Sequence, residues 1–202
     1  MIELTAEQVE SLRSTADEVL PAPSAPMAVA REFAQRSFTH ADGQLVLRHW
    51  RGGWWRWETS CWGELEHRSV RETAYRFTES AVYEKPTKDG VDLTPWAPNR
   101  HKIADLLEAL AAVTYLKEDT AQPSWLDDRP HPDGVIVSTS NGLLEVATRE
   151  LVPHDPAYFN TTAVPFEYDP DALDPNAGRS SSRRCGEKTP NRSGSCRSGR
   201  AT

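Results

Sequence analysis

The spacing of apolar positions changes several times along the chain, and each change marks an element. Thr5 to Leu20 has helical spacing, with Thr5 as N-cap and acids in the first turn. The run Pro21-Ala-Pro-Ser-Ala-Pro26 follows as a stiff linker. Pro26 also suits the first turn of a second helix, through Val29, Phe33 and Ala34 to Phe38. From Gln44 to Glu66 the period drops to two. Leu45, Leu47 and His49 alternate with Val46, Arg48 and Trp50, and Arg51-Gly52-Gly53 tolerates the positive φ of a tight turn. Trp54 to Glu58 returns and Cys61 to Glu66 adds a third strand, so the pattern predicts a small antiparallel meander. Trp55 is expected on the face opposite Trp54 and Trp57.

Helical spacing resumes over Ser69 to Tyr83, with Val70, Ala74, Phe77, Ala81 and Val82 on one side. Lys85 to Pro98 reads as a loop. Asn99 then caps a helix over Arg100 to Leu116, whose Ile103, Leu106, Leu107, Leu110 and Val113 form a broad apolar stripe. Pro123 to Asp133 reads as another loop. Val135–Val137, Gly142–Val146, Leu151–Val152 and Ala163–Tyr168 are short strand candidates separated by turn residues. The expected class is α+β, with hairpins and a meander packed on about four helices. Residues 1–25 form the N-terminal helix and linker, 26–175 the main domain and 176–202 a disordered basic tail.

Charge separates the tail from the rest. The first 178 residues hold 16 Lys/Arg against 29 Asp/Glu, whereas Arg179 to Thr202 holds seven basic groups and one acid. The acidic body disfavours sequence-independent binding of duplex DNA over the whole surface. The acidic N-terminus and the lack of any ~20-residue apolar run point to the cytoplasm and away from a membrane. Cys61 is the only cysteine before the tail, so no disulfide framework is expected.

No phosphate loop, dinucleotide fingerprint, zinc-protease pair or nucleophile elbow occurs in the sequence. His131 and Asp133 are too few for a metal site, and Asp127-Asp128 and Asp169/Asp171 read as solvated loop carboxylates. The strongest local signal is the interleaving of Trp50, Trp54, Trp55, Trp57 and Trp62 with Arg48, Arg51 and Arg56. Rings between guanidinium groups can stack bases of a single strand while cations meet phosphates. The same rings can instead hold a small sheet together and pack on a helix. Arg100, His101 and Lys102 gather cations at a helix N-terminus, which suits an anion. The candidate DNA-contacting set is therefore Arg48, Trp50, Arg51, Trp54, Arg56, Arg100 and Lys102, with no catalytic, cofactor or metal residue.

From Pro26 onward the chain resembles the region that precedes the ATPase in phage and plasmid primase–helicases. These are superfamily-three helicases whose pre-helicase domain is shared with poxvirus primase–helicases. The resemblance is carried in order by LRHWRGGWWRWETSCW, RETAYRFTESAVYE, WAPNRHKIADLLEALAAVTYL and SNGLLEVATRELVPHDPAYFNTTAVPFEYDPDA. The last block follows an NGLLDL strand, a TGEL turn and HxPxxFNxxxxPFxYDPxA. Asn141, Gly142, Leu143, Leu144, Glu150, Leu151, His154, Pro156, Phe159, Asn160, Pro165, Phe166, Tyr168, Asp169 and Pro170 fall on it.

The resemblance implies a segment that couples priming to a ring-forming helicase in DNA replication, truncated before the ATPase. ATP and Mg²⁺ are then expected only in a full-length parent. The implied partners are DNA, bound weakly or indirectly, helicase or primase subunits, and a second copy of the chain. The alternative is a stand-alone module that binds single-stranded DNA or associates with a helicase. The family continues where this sequence turns basic. From Arg184 the tail can be back-translated so that the neighbouring frame reads ALWGEDAESIRELQEWAGY, similar to the family's next segment, so the tail is expected to be frameshifted coding sequence. The nucleotide sequence of the gene decides that point.

Overall fold

A computed structural model describes residues 18–88, 90–132 and 134–172. Among these residues, three helices and several small antiparallel sheets make an α+β fold. The chain divides at Tyr168/Asp169, and the few described residues beyond that point form a turn in which Ala172 N donates to Asp169 O. The expectations for the first helix up to Asp17, and for the tail, fall outside the described residues. Glu18 to Leu20, the end of that expected helix, is extended instead. Leu20 N donates to Val82 O at 2.8 Å and Val82 N to Glu18 O at 3.0 Å.

Helix α1 (Pro26–Ser37) begins with proline in its first turn and buries Val29, Ala30, Phe33 and Ala34. Phe33 meets Phe38 edge-on at 5.3 Å and Phe77 at 4.8 Å, and its burial contributes about 1.5–3 kcal/mol. Helix α2 (His67–Glu79) presents Val70, Ala74 and Thr78, the last neutralising its own hydroxyl on Ala74 O at 2.8 Å. Helix α3 (Arg100–Val113) is capped by Asn99, whose Oδ1 accepts from His101 N at 3.0 Å and Lys102 N at 3.1 Å. It ends at Val113 rather than Leu116. The backbone of His49 takes over there, accepting from Leu116 N and donating to Thr114 O.

Strands β1 (Leu47–Trp50), β2 (Gly53–Trp57) and β3 (Trp62–Leu65) form the expected meander. Arg51 and Gly52 both take positive φ, +50° and +76°, the geometry of a two-residue hairpin turn. One face, carrying Leu47 and Trp54, packs into the main core with α1, α2 and α3.

The segment read as helix end plus loop is a hairpin, β4 (Val82–Thr87) with β5 (Gly90–Pro95). Its strands are exposed over most of their length, and Pro86 and Pro95 hid them from propensity reasoning. A second pair, β6 (Ser124–Trp125) with β10 (Tyr158–Phe159), lies in a stretch also read as loop and turn. Strands β7 (Ile136–Thr139), β8 (Gly142–Glu145) and β9 (Glu150–Val152) form the other three-stranded sheet. Gly142 is required there, since a Cβ would stand 2.6 Å from Val152 O. Ala163–Tyr168 is not a strand. It meets β7 through Val164 N to Ser138 O and Ser140 N to Phe166 O only, with Pro165 interrupting the ladder. No described helix is long and apolar enough to cross a membrane.

Candidate nucleic-acid interface

The register of the meander fixes which cations and rings can act together. Arg48 stands opposite Trp55, Leu47 opposite Arg56, and Trp57 opposite Trp62. Strand alternation therefore puts Arg48, Trp50, Trp55, Trp57 and Trp62 on one face, and Leu47, His49, Trp54 and Arg56 on the other. Trp55 and Trp57 share a face, which corrects the expectation that Trp57 sides with Trp54. Positions two apart in a strand always side together.

Trp54 is 4% exposed, packs edge-on against His49 at 4.7 Å, and donates Nε1–H to His67 Nδ1 at 3.2 Å. Burial pushes the His49 imidazole below its ordinary pKa; Glu108 pulls it up and His67 adds to the lowering. Trp50 is 5% exposed, donates to Lys117 O at 3.0 Å, and meets Trp55 at 5.5 Å and Phe159 at 5.3 Å, both edge-on. Both rings lie in the protein interior and leave no face on which a base can stack. Phe159 and Trp62 complete a second apolar cluster on this side of the meander, flanked by Leu116 and Leu126.

The cations divide into four kinds. Arg51 sits in the turn with its guanidinium 4.2 Å from the Trp50 ring centre and its Nε on Glu118 O. Arg56 and Arg100 are exposed. Lys102 turns back into the preceding loop, donating to Trp96 O and Ala97 O, and Nζ lies 5.3 Å from the Trp96 ring centre. With Asn99 meeting two N–H groups, the start of α3 is largely satisfied by its own neighbours.

Arg48 differs from all of these. Its Nε is shielded from solvent and has no hydrogen-bond partner among the described residues. Burial pushes its pKa down, and no carboxylate among the described residues acts against it. It lies beside Trp50 on its strand and directly opposite the half-buried Trp55. The sequence marked Arg48 as a candidate cation, but the missing counter-charge depends on which acids the fold brings near.

A polar cluster that sequence reasoning assigned to solvated loops ties three segments together. Arg129 bridges Asp127 and Asp155, Gln44 Nε2 donates to Asp155 Oδ1 at 2.9 Å, and His131 pairs with Asp127. The His131 ring stacks flat on Trp125 at 3.7 Å. Burial pushes the Asp127 carboxyl up, but hydrogen bonds from His131 and Arg129 outweigh it and hold the group below its ordinary pKa. No group of three or more potential metal-ligating side chains occurs among the described residues.

Residues 33–185 match a protein-family model described as D5 N terminal like. No curated protein and no solved structure matches the chain.

Proposed function

The chain belongs to the D5 N terminal like family, the N-terminal domain of D5-type phage and poxvirus primase–helicases, and from that premise we propose that it serves DNA replication as a non-catalytic domain that holds single-stranded DNA. The observation that carries this reading is the guanidinium of Arg48, whose buried Nε has no partner among the described residues. A buried N–H left without an acceptor costs about 1–3 kcal/mol. In a chain with 30 Asp/Glu and 23 Lys/Arg, an arginine that no acid among the described residues pairs is suited to an external anion. A phosphate oxygen pair fits the guanidinium fork. Trp55 and Trp57, half-buried on the same face, supply flat apolar surface beside it, while Arg51 adds a second cation in the turn, over the Trp50 ring.

Titration of the full chain with oligothymidylate should quench tryptophan emission at low salt and lose the signal as salt rises. Arg48→Ala should weaken binding by about 1.5–3 kcal/mol, the worth of a charge-assisted hydrogen bond. An unquenched emission at low salt would sink the single-strand reading. Because no phosphate-loop motif occurs in the sequence, purified protein should show no Mg²⁺-dependent ATP turnover above background. Robust turnover would overturn the non-catalytic assignment.

A second reading, a module that associates with helicase subunits, draws on the β4–β5 hairpin. Register puts Val82, Pro86, Val91, Leu93 and Pro95 on one of its faces, and Val91 is half-exposed. Val91→Glu should then dissolve a concentration-dependent assembly in sedimentation without altering DNA quenching.

A further inference from the structure

A cavity of about 280 Å³ opens between the outer edge of β7 and the chain from Asn160 to Val164. That size lies just below the ~300–1,000 Å³ range of small-molecule pockets, so it admits one ring system. None of its lining residues carries a charge. A phosphate, carboxylate or metal ion would lose its hydration there without a counter-charge, so the occupant is neutral. Pro123, Ile136 and Val164 give the walls apolar surface. The two sides are tied by Val164 N to Ser138 O at 2.8 Å and by the Tyr158 hydroxyl to Ile136 O at 3.2 Å.

Two amides set the polarity of this cavity. Asn160, 5% exposed, directs Nδ2 at two carbonyls, Ser60 O at 3.2 Å and Thr162 O at 2.8 Å. Only the NH₂ end can meet carbonyl oxygens, so the amide orientation is fixed by its partners and Oδ1 remains as an acceptor. Gln122 holds the Thr161 hydroxyl at 3.0 Å through one end of its amide, leaving the other end for a ligand. A hydroxyl can pair with either end of an amide, so Gln122 can present a donor or an acceptor.

We infer that this cavity takes a single unstacked nucleobase of the bound strand, which rests on the single-strand reading above. Every base carries a donor beside an acceptor on its Watson–Crick edge, which suits a lining that offers both the Asn160 Oδ1 acceptor and an adaptable Gln122 amide. The site therefore accepts any base and contributes affinity without sequence preference. The phosphate contact at Arg48 and the base contact here are chemically separate.

The test uses the full chain and two probes, thymidine, which has no phosphate, and oligothymidylate. Thymidine at about 10 mM, suited to millimolar affinity, should give saturable amide shifts at Gln122, Ser138 and Thr161 to Val164 in ¹H–¹⁵N spectra. Ala163→Trp, an exposed position on the rim, fills the cavity. It should abolish the thymidine shifts and weaken oligothymidylate about tenfold, equivalent to ~1.4 kcal/mol, with the salt dependence unchanged. Gln122→Ala should show the same trend to a smaller degree. Absence of saturable shifts at these amides, or wild-type thymidine binding by Ala163→Trp, overturns the base pocket. Thymidine binding without any oligonucleotide response keeps the pocket and sinks the surface reading. Arg48-dependent oligonucleotide binding without thymidine shifts does the reverse.

Discussion

The two faces of the meander belong to the same three short strands but are closed in different ways. The face carrying Leu47 and Trp54 is covered by α1, α2 and α3, elements that lie within the same stretch of sequence. The face carrying Trp50 and Trp62 is covered by Phe159, from the far end of the domain, and is clamped by polar bonds. Trp62 N donates to Asn160 O, and both Ser138 Oγ and Asn160 Nδ2 donate to Ser60 O. One face depends on apolar volume shared among helices. The other depends on one phenylalanine ring flanked by Leu116 and Leu126 and on a few directional bonds, so it can be loosened by changes that leave the helices alone.

Removing the central ring from each side gives the largest effects. Phe33→Ala and Phe159→Ala each remove a fully buried ring and should cost about 3–5 kcal/mol in chemical denaturation. They should differ in what is lost. Phe33→Ala should lower helical circular dichroism with the midpoint, whereas Phe159→Ala should red-shift tryptophan emission while the helical signal persists. A red shift of equal size in both variants would mean that the two faces are one cooperative core.

Asn160→Ala should have an intermediate effect, about 1–3 kcal/mol, because Ser60 O and Thr162 O lose a donor. Its footprint in hydrogen exchange should centre on β3 and on residues 58–61, leaving α1 and α3 protected as before. Loss of protection across α1 would break the separation of the faces.

Acidification should act on the helix-covered face and by the smallest amount. Burial disfavours the charged His49 ring, so the folded chain holds this proton less tightly than the unfolded chain does. The stability from this group is full above the ordinary value of 6.5 and declines as pH falls below it. Among its charged or titratable neighbours, Glu108 opposes this shift and His67 adds to it. His49→Gln should flatten the dependence of Tm on pH between about 5 and 7. An unchanged slope in that variant would place the acid sensitivity elsewhere.

What was legible in the sequence follows the same division. Helices α1 and α3 and the three strands of the meander announce themselves because their partners are local and their periods are sustained. Asn99 as a cap and Arg51-Gly52 as a turn follow from backbone chemistry alone. The burial of Trp50 was not legible, since it requires Phe159 to arrive from a distant segment. A tryptophan waiting for a base and one waiting for a phenylalanine have the same sequence signature. The β4–β5 hairpin escaped because prolines stand in both strands and because solvent covers most of it. The pairing of β6 with β10 escaped because two residues carry no period. Arg48 was visible as a cation, but its isolation from carboxylates is a property of the fold.

The clamp on Ser60 reaches across 100 residues of sequence. A ribosome adding about 5–20 residues per second takes roughly 5–20 s to make that stretch. For that interval Trp50 and Trp62 have been synthesised and Phe159 has not. A newly made meander therefore presents an uncovered tryptophan surface to the cell well before the residue that hides it exists, and the domain's exposure to misassociation is set by the order in which its chain emerges.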